Sequence, residues 1–68
     1  MRMKLKEARN KAGLTQQATA NALGVTLGYY QKIEAGERDG SYKLWDAMED
    51  LFETHQRVLR QKVREENR

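Results

Sequence analysis

The side chains of this chain that can do chemistry are suited to binding rather than to bond cleavage. The sequence contains no cysteine and a single histidine, His55. This excludes a disulfide framework and the usual zinc spacings, and it leaves almost no material for a nucleophile paired with histidine. We therefore expect no enzymatic activity, no metal site and no cofactor. The groups that remain are hydrogen-bonding side chains, and an amide and an ammonium lie side by side at Gln31 and Lys32.

A short helix is predicted to position both of these side chains. Thr26 is an N-cap residue type and Gly36 a C-terminal stop, so the helix runs from Thr26 to about Ala35. At about 100° per residue, Tyr30 and Ile33 define its inward face. The opposite face has no acidic residue and consists of Gly28, Gln31, Lys32 and Ala35, with Leu27 at its edge.

Two further helices are predicted before this one. The first runs from about Met3 to Ala12, is followed by Gly13, and has an apolar face of Leu5, Ala8 and Ala12. The second has Thr15 as its N-cap type, ends at Gly24, and buries Ala20 and Leu23. A tight turn with glycine, residues 24–26, therefore joins the second helix to the third.

The segment after the third helix predicts a fourth helix and leaves two arrangements open for the tail. Ser41 is the N-cap type, and the apolar residues that must supply much of the core are Leu44, Trp45, Met48, Leu51 and Phe52. In one arrangement a single helix continues from Tyr42 to Glu66, with a heptad seam of Trp45, Met48, Phe52, His55 and Leu59. That helix would need a partner for Val58, Leu59 and Val63. In the other arrangement the helix breaks near Thr54, and a fifth helix folds back on its own domain.

Charge is segregated along the chain. Residues 1–38 hold seven Lys or Arg and three Asp or Glu, residues 39–53 hold one and five, and residues 54–68 hold five and two. This order of basic, acidic and basic segments favours an anionic partner, with the region 46–53 facing away from it. There is no proline, no repeat and no long apolar run. We therefore expect an all-helical, soluble, cytoplasmic chain without a transmembrane span.

The helix pair around the glycine turn has the pattern of a helix-turn-helix. Here the sequence resembles the XRE/Cro/CI-like phage repressor DNA-binding domain family. The resemblance covers roughly residues 4–52 and is carried by GLTQ, LGVT and IEAG at residues 13–16, 23–26 and 33–36, together with Leu5, Lys6, Arg9, Ala20 and Arg38. It implies a small all-α, lambda-repressor-like domain of four to five helices with a C-terminal helical extension. Its third helix would lie in the major groove of DNA.

The resemblance also implies roles for individual residues. Leu27, Gly28, Gln31 and Lys32 sit where family members touch bases, and Gln16 sits where the family's glutamine binds phosphate. Arg9 and Glu34 match a buried pair that ties the first helix to the third, and Tyr30 matches a core position. Further phosphate contacts are expected from Ser41 and from Asn21, Lys6 or Lys11 along the rim. The main DNA contacts are predicted to be Gln16, Thr26, Leu27, Gly28, Tyr29, Gln31, Lys32, Arg38 and Tyr42.

Two departures from the family pattern bear on stability. Ala18 and Thr19 replace a glutamate and a leucine, which removes the capping box of the second helix and thins the core. Gly28 lies inside the third helix, where glycine costs about 1 kcal/mol relative to alanine.

These observations favour a sequence-specific transcriptional regulator of the Cro or repressor type. It would bind a palindromic operator as a homodimer. The core of a 68-residue chain contributes only about 3–5 kcal/mol net to stability, so self-association is plausible. Residues 1–53 would form the DNA-binding domain, and residues 54–68 a helical tail that is a possible dimerisation element. The alternative is a protein-interaction module, such as an antitoxin or anti-regulator. In that case His55, Val58 and Leu59 would bind an acidic partner together with Arg57, Arg60, Lys62 and Arg64.

Overall fold

A computed structural model describes residues 1–62, which form five helices and no strand. The helices are α1 (Met3–Lys11), α2 (Gln16–Leu23), α3 (Leu27–Ala35), α4 (Tyr42–Phe52) and α5 (Gln56–Leu59). The prediction of an all-α fold is confirmed. Among these described helices, none has both the length and the apolar composition needed to cross a bilayer.

Polar side chains begin α2, α3 and α4 where the sequence predicts them to do so. The hydroxyls of Thr15, Thr26 and Ser41 each accept a hydrogen bond from the backbone N–H three residues later, at 3.0, 3.2 and 3.2 Å. Gly24 and Gly36 end α2 and α3 in the left-handed region, at φ of 73° and 86°. A residue with a Cβ is strained there, so glycine sets both the length of α3 and the tightness of the turn before it.

One apolar core joins all five helices, and it consists of Leu5, Ala20, Tyr30, Ile33, Leu44, Trp45, Met48, Phe52 and Leu59. Four apolar residues predicted to face inward are less buried than expected, because Ala8, Leu23 and Leu51 are half-buried and Ala12 is exposed. Thr19 is fully buried. Its hydroxyl donates to the Thr15 carbonyl at 2.9 Å, so this small polar residue leaves no unpaired group in the core.

Of the two arrangements that the sequence left open for the tail, the continuous helix from Tyr42 to Glu66 is wrong and the fold-back is observed. Helix α4 ends at Phe52 because Glu53 adopts a left-handed conformation, with φ of 53°. After a short turn, α5 packs against α1 and α4. Leu59 is thereby fully buried in the core of its own chain rather than exposed along a heptad seam. Val58 is half-buried, and Val63, the third apolar residue of the predicted tail, lies outside the described residues.

Polar contacts explain why the chain turns without a glycine. Gln56 donates through Nε2 to Asp46 Oδ1 at 2.7 Å and to Glu49 Oε1 at 3.0 Å, which fastens the start of α5 to α4. A left-handed non-glycine residue such as Glu53 costs about 1–2 kcal/mol, whereas burying a leucine side chain contributes about 1.5–3 kcal/mol. The burial of Leu59 therefore offsets the backbone strain at Glu53. The periodicity of the sequence does not indicate that the helix breaks there.

Gly40 shapes the loop between α3 and α4. Its φ is +78°, and a Cβ at this position would lie 3.0 Å from Trp45 Nε1 and 3.2 Å from Ile33 Cδ1. The indole of Trp45 also donates to the Asp39 carbonyl at 2.6 Å. The loop is therefore packed closely on Trp45, and only glycine fits without displacing it.

Candidate nucleic-acid interface

Helix α3 presents one buried and one open face. Tyr30 and Ile33 are fully buried, as their spacing predicts. The residues of the opposite face, Gly28, Gln31, Lys32 and Ala35, are all exposed, and Leu27 at its edge is half-buried. The orientation of the helix that the sequence predicts is therefore confirmed.

A buried polar network holds the inner face of α3 against α1 and α2. Arg9 donates to Glu34 through Nε at 2.8 Å and through Nη2 at 3.3 Å, so the predicted ion pair is present. The Tyr30 hydroxyl donates to Glu34 Oε2 at 2.8 Å. Gln16 donates to Glu34 Oε1 at 2.9 Å. The carboxylate thus accepts from residues of three helices at once, and the bonds from Arg9 on α1 and Gln16 on α2 resist rotation or sliding of α3.

The surroundings of Glu34 shift the pKa values of the groups in this network. Burial alone would raise the pKa of Glu34, but the hydrogen bonds from Arg9, Tyr30 and Gln16 outweigh it and lower the pKa below its ordinary value. Burial, and then the hydrogen bond to Glu34, raise the pKa of Tyr30. The hydrogen bond to Glu34 raises the pKa of Arg9, although burial opposes it. At neutral pH the pair is therefore ionised and the phenol is neutral.

Gln16 connects this network to the open face of α3. Its Oε1 accepts from Gln31 Nε2 at 3.2 Å, while its own Nε2 is bonded to Glu34. Gln16 is half-buried, whereas Gln31 is exposed. The amide of Gln31 is therefore held by a chain of hydrogen bonds that begins at a buried carboxylate, which limits its freedom before any target binds.

The other predicted contact residues of α3 differ in how far their side chains are already engaged. The Thr26 hydroxyl is used as the N-cap, and Tyr29 is half-buried against the core. A Cβ at Gly28 would meet no atom of the chain within 4 Å, so nothing in the intramolecular packing requires glycine there. In the described part of the chain, no carboxylate forms an ion pair with Lys32. The ammonium of Lys32 is therefore available to an external acceptor.

Arg38 and Tyr42 lie beyond the C-terminal end of α3. Arg38 is exposed in the loop, and Tyr42 is the first residue of α4, with 81% of its surface exposed. A large exposed aromatic residue with a hydroxyl at a helix start is available for a polar contact outside the chain. The acidic residues of the following segment, including Asp46 and Asp50, lie on the exposed side of α4 rather than on α3.

Sequence reasoning missed one residue next to this surface, Arg2. The side chain is only 3% exposed, and its guanidinium lies 5.0 Å from the centroid of the Trp45 ring. Burial lowers the pKa of Arg2, Asp39 opposes that shift, and nearby Arg60 adds to it. An arginine at the start of a basic segment is expected to lie on the surface. No periodicity marks it as buried, and only the packing of the loop and α5 around it encloses it.

Comparison with known proteins agrees with this geometry. Residues 5–55 match the helix-turn-helix family, which is three quarters of the chain and includes α1 to α4 almost completely. No curated protein and no solved structure matches the chain. The matched segment contains the two helices joined at Gly24 and the open face of α3. The chain belongs to the XRE/Cro-like helix-turn-helix family of DNA-binding transcription regulators.

Proposed function

We propose that this protein is a sequence-specific transcriptional regulator that binds a palindromic operator with α3 in the major groove. The observation that carries the proposal is the open face of α3, where Gln31 and Lys32 are exposed and no acidic side chain intervenes. A helix approaching a polyanion at close range requires that absence of negative charge. Residues 1–53 form the DNA-binding part in this proposal, and regulation follows from occluding a promoter.

The three side chains proposed to read sequence each suit a different base. Lys32 can donate to guanine O6 and N7, Gln31 can pair with adenine N6 and N7, and Leu27 can contact a thymine methyl group. Because Gln31 is already bonded to Gln16, the two amides can act as one unit at the groove edge. Gly28 leaves the centre of this face without a side chain, so that the backbone can approach the base edges.

Other residues are proposed to bind the DNA backbone. Arg38 and Tyr42 are exposed beyond the end of α3, and Gln16 lies at the start of α2, where a helix N-terminus favours phosphate. Thr26 and Tyr29 flank the open face of α3, and further phosphate contacts at the rim are proposed for Ser41 and for Asn21, Lys6 or Lys11. These contacts position the protein without reading sequence.

A mobility-shift titration against mixed genomic fragments tests DNA binding. We expect micromolar or tighter binding at low salt, with affinity that falls steeply as the salt concentration rises. Selection from random duplexes should then recover a two-fold symmetric site. Absence of binding at low salt would contradict the proposal.

Two variants separate base reading from phosphate binding. Arg38→Ala should weaken binding to all sequences about equally, by about eightfold at about 0.1 M salt if one phosphate contact is lost. Lys32→Ala should instead relax the preference at one base position of the selected site. The reverse pattern would show that the two roles are interchanged.

The homodimer is proposed because a two-fold operator needs two copies of α3 about 34 Å apart along one face of DNA. Leu59 is unavailable for the dimer contact, since it is buried in its own chain. A groove between the ends of α1 and α4 remains, and its lining includes Lys11 and Glu53 together with apolar Ala12 and Leu51. A two-fold axis across this groove can place Lys11 of one copy near Glu53 of the other.

Sedimentation of an Ala12→Glu variant tests this dimer contact. Ala12 is exposed, so the added carboxylate leaves the core intact and repels the Glu53 of a second copy. We expect loss of the dimer, whereas Ala22→Glu, at an exposed position on α2, should leave it unchanged. A dimer that survives Ala12→Glu would place the contact elsewhere. For the alternative function, an interaction module that uses the tail, Leu59 is unavailable as an apolar anchor because it is buried in its own chain.

A further inference from the structure

Arg2 lies at the point where the end of α3, the following loop, α4 and α5 meet. Its backbone N–H donates to the Glu34 carbonyl at 2.8 Å, and its own carbonyl accepts from Lys6 N at 3.2 Å at the start of α1. One residue therefore forms both the N-cap of α1 and a support for the last turn of α3. The backbone alone links the two helices, independently of the side chain.

The guanidinium of Arg2 binds one carbonyl in the last turn of α3, that of Ile33, which also accepts from the Gly36 N–H at 3.1 Å, and one carbonyl in the loop beyond the helix. Nη1 donates to the Ile33 carbonyl at 2.6 Å and to the Arg38 carbonyl at 2.8 Å. The last carbonyls of a helix have no partner within the helix and form the negative end of its dipole, so a buried cation there is favourable. The bond to Arg38 also extends this support to the loop beyond the helix.

Two further contacts fix the position of the guanidinium itself. Nε donates to the Arg60 carbonyl at 3.2 Å, and Nη2 lies 3.6 Å from Asp39 Oδ1. The ring of Trp45 covers one face of the guanidinium at 5.0 Å. A side chain held on this many sides has one geometry, and it transmits that geometry to the backbone of Arg38.

We propose that Arg2 is a positioning residue of the DNA interface, which sets the backbone of Arg38 and the last turn of α3 so that the Arg38 side chain meets a phosphate. Arg2 itself is buried and touches no DNA. The proposal rests on the DNA-binding function proposed above and adds to it a residue outside the segment that matches the family.

A double-mutant experiment separates positioning from general stability. Arg2→Met removes the guanidinium and retains an apolar stem, and it is measured alone and combined with Arg38→Ala, in chains shown to be folded by circular dichroism. Alone, Arg2→Met should lower affinity for duplex DNA about three- to tenfold and reduce the salt slope by up to about 1. With Arg38 already removed, the same change should lower affinity less than about twofold.

Lys4→Met is the matched control, because it removes one positive charge from the same end of the chain at an exposed residue whose ion pair is with Glu7. It should change affinity less than about twofold. An Arg2→Met loss of equal size in both backgrounds, or an equal loss in Lys4→Met, would overturn the positioning role. Failure of the unaltered chain to bind duplex DNA would overturn the proposed function itself, and the positioning role with it.

Amide hydrogen exchange provides a readout that needs no DNA. It suits the milder variant Arg2→Lys, which retains the charge but cannot reproduce the three hydrogen bonds of the guanidinium. The N–H groups of Gly36, Glu37 and Arg38 donate to carbonyls of the last turn of α3. Their exchange should accelerate about tenfold relative to amides in the middle of α2. Unchanged exchange at these three amides would overturn the proposal, whatever the DNA titration shows.

Discussion

Both faces of α3 carry polar side chains, but the two sets have opposite roles. On the inner face, the Glu34 carboxylate accepts from Arg9, Tyr30 and Gln16. On the outer face, Gln31 and Lys32 are exposed, and in the described residues only Gln31 has a side-chain partner. The two roles are therefore separated across one helix: the inner polar groups fix its position, and the outer groups remain open for a target.

The largest expected effect comes from disrupting the polar network on the inner face of α3. Glu34→Ala leaves the buried Arg9 guanidinium without its carboxylate, and we expect the free energy of unfolding to fall by about 3–5 kcal/mol in urea titrations. Glu37→Ala, at an exposed residue next to α3, should change the free energy of unfolding by no more than about 0.5 kcal/mol. A loss below about 1 kcal/mol for Glu34→Ala would mean that the network does not hold the helix.

A smaller effect is expected from Tyr30→Phe, which retains the ring in the core and removes only the hydroxyl. Loss of a hydrogen bond to a charged group should lower the free energy of unfolding by about 1.5–3 kcal/mol. Because the pKa of Tyr30 is raised on folding, its contribution is present below its unfolded value of 10.0 and decreases as the pH rises above it. The Phe variant should lack that alkaline decrease, and an unchanged decrease would assign it to another group.

On the outer face, Lys32→Ala should act on recognition and not on folding. We expect a loss of about 1–3 kcal/mol of discrimination at one base position, measured by competition between selected and altered duplexes. The free energy of unfolding should change by no more than about 0.5 kcal/mol, since Lys32 is exposed. A large loss of stability would show that the two faces are not independent.

The most gradual effect is the response of the inner face to acid. Because the pKa of Glu34 is lowered on folding, its contribution is complete above the ordinary range of a glutamate and is lost as the pH falls through the lowered value. Urea titrations from neutral pH into that acid range should show declining stability. Glu34→Gln should flatten the decline, and an equal decline in this variant would attribute the acid response to other carboxylates.

Residues that act locally were predictable from the sequence. The caps at Thr15, Thr26 and Ser41 depend on one side chain and the next turn of backbone, and the orientation of α3 depends on a periodicity within nine residues. The Arg9–Glu34 pair spans 25 positions and was found only through resemblance to a family.

Features that depend on distant packing were not predictable. The spacing from Trp45 to Leu59 fits a heptad as well as it fits a broken helix, and the choice depends on Gln56 reaching Asp46 and on Leu59 finding space beside α1. Arg2 is a stronger case, because its partners lie 31, 36 and 58 positions away. Nothing in the local sequence indicates that a basic residue among other basic residues will be buried.

The burial of Arg2 and Leu59 has a practical consequence for trimming the gene. A fragment cut to residues 5–55 would retain everything that matches the family, yet it would lack a core leucine and the cation stacked on Trp45. Such a fragment would expose the indole and the apolar side of α1 to water and would be prone to aggregation. Expression of the whole chain retains the hydrophobic core that residues 1–62 form, so cloning boundaries here should follow the packing rather than the match.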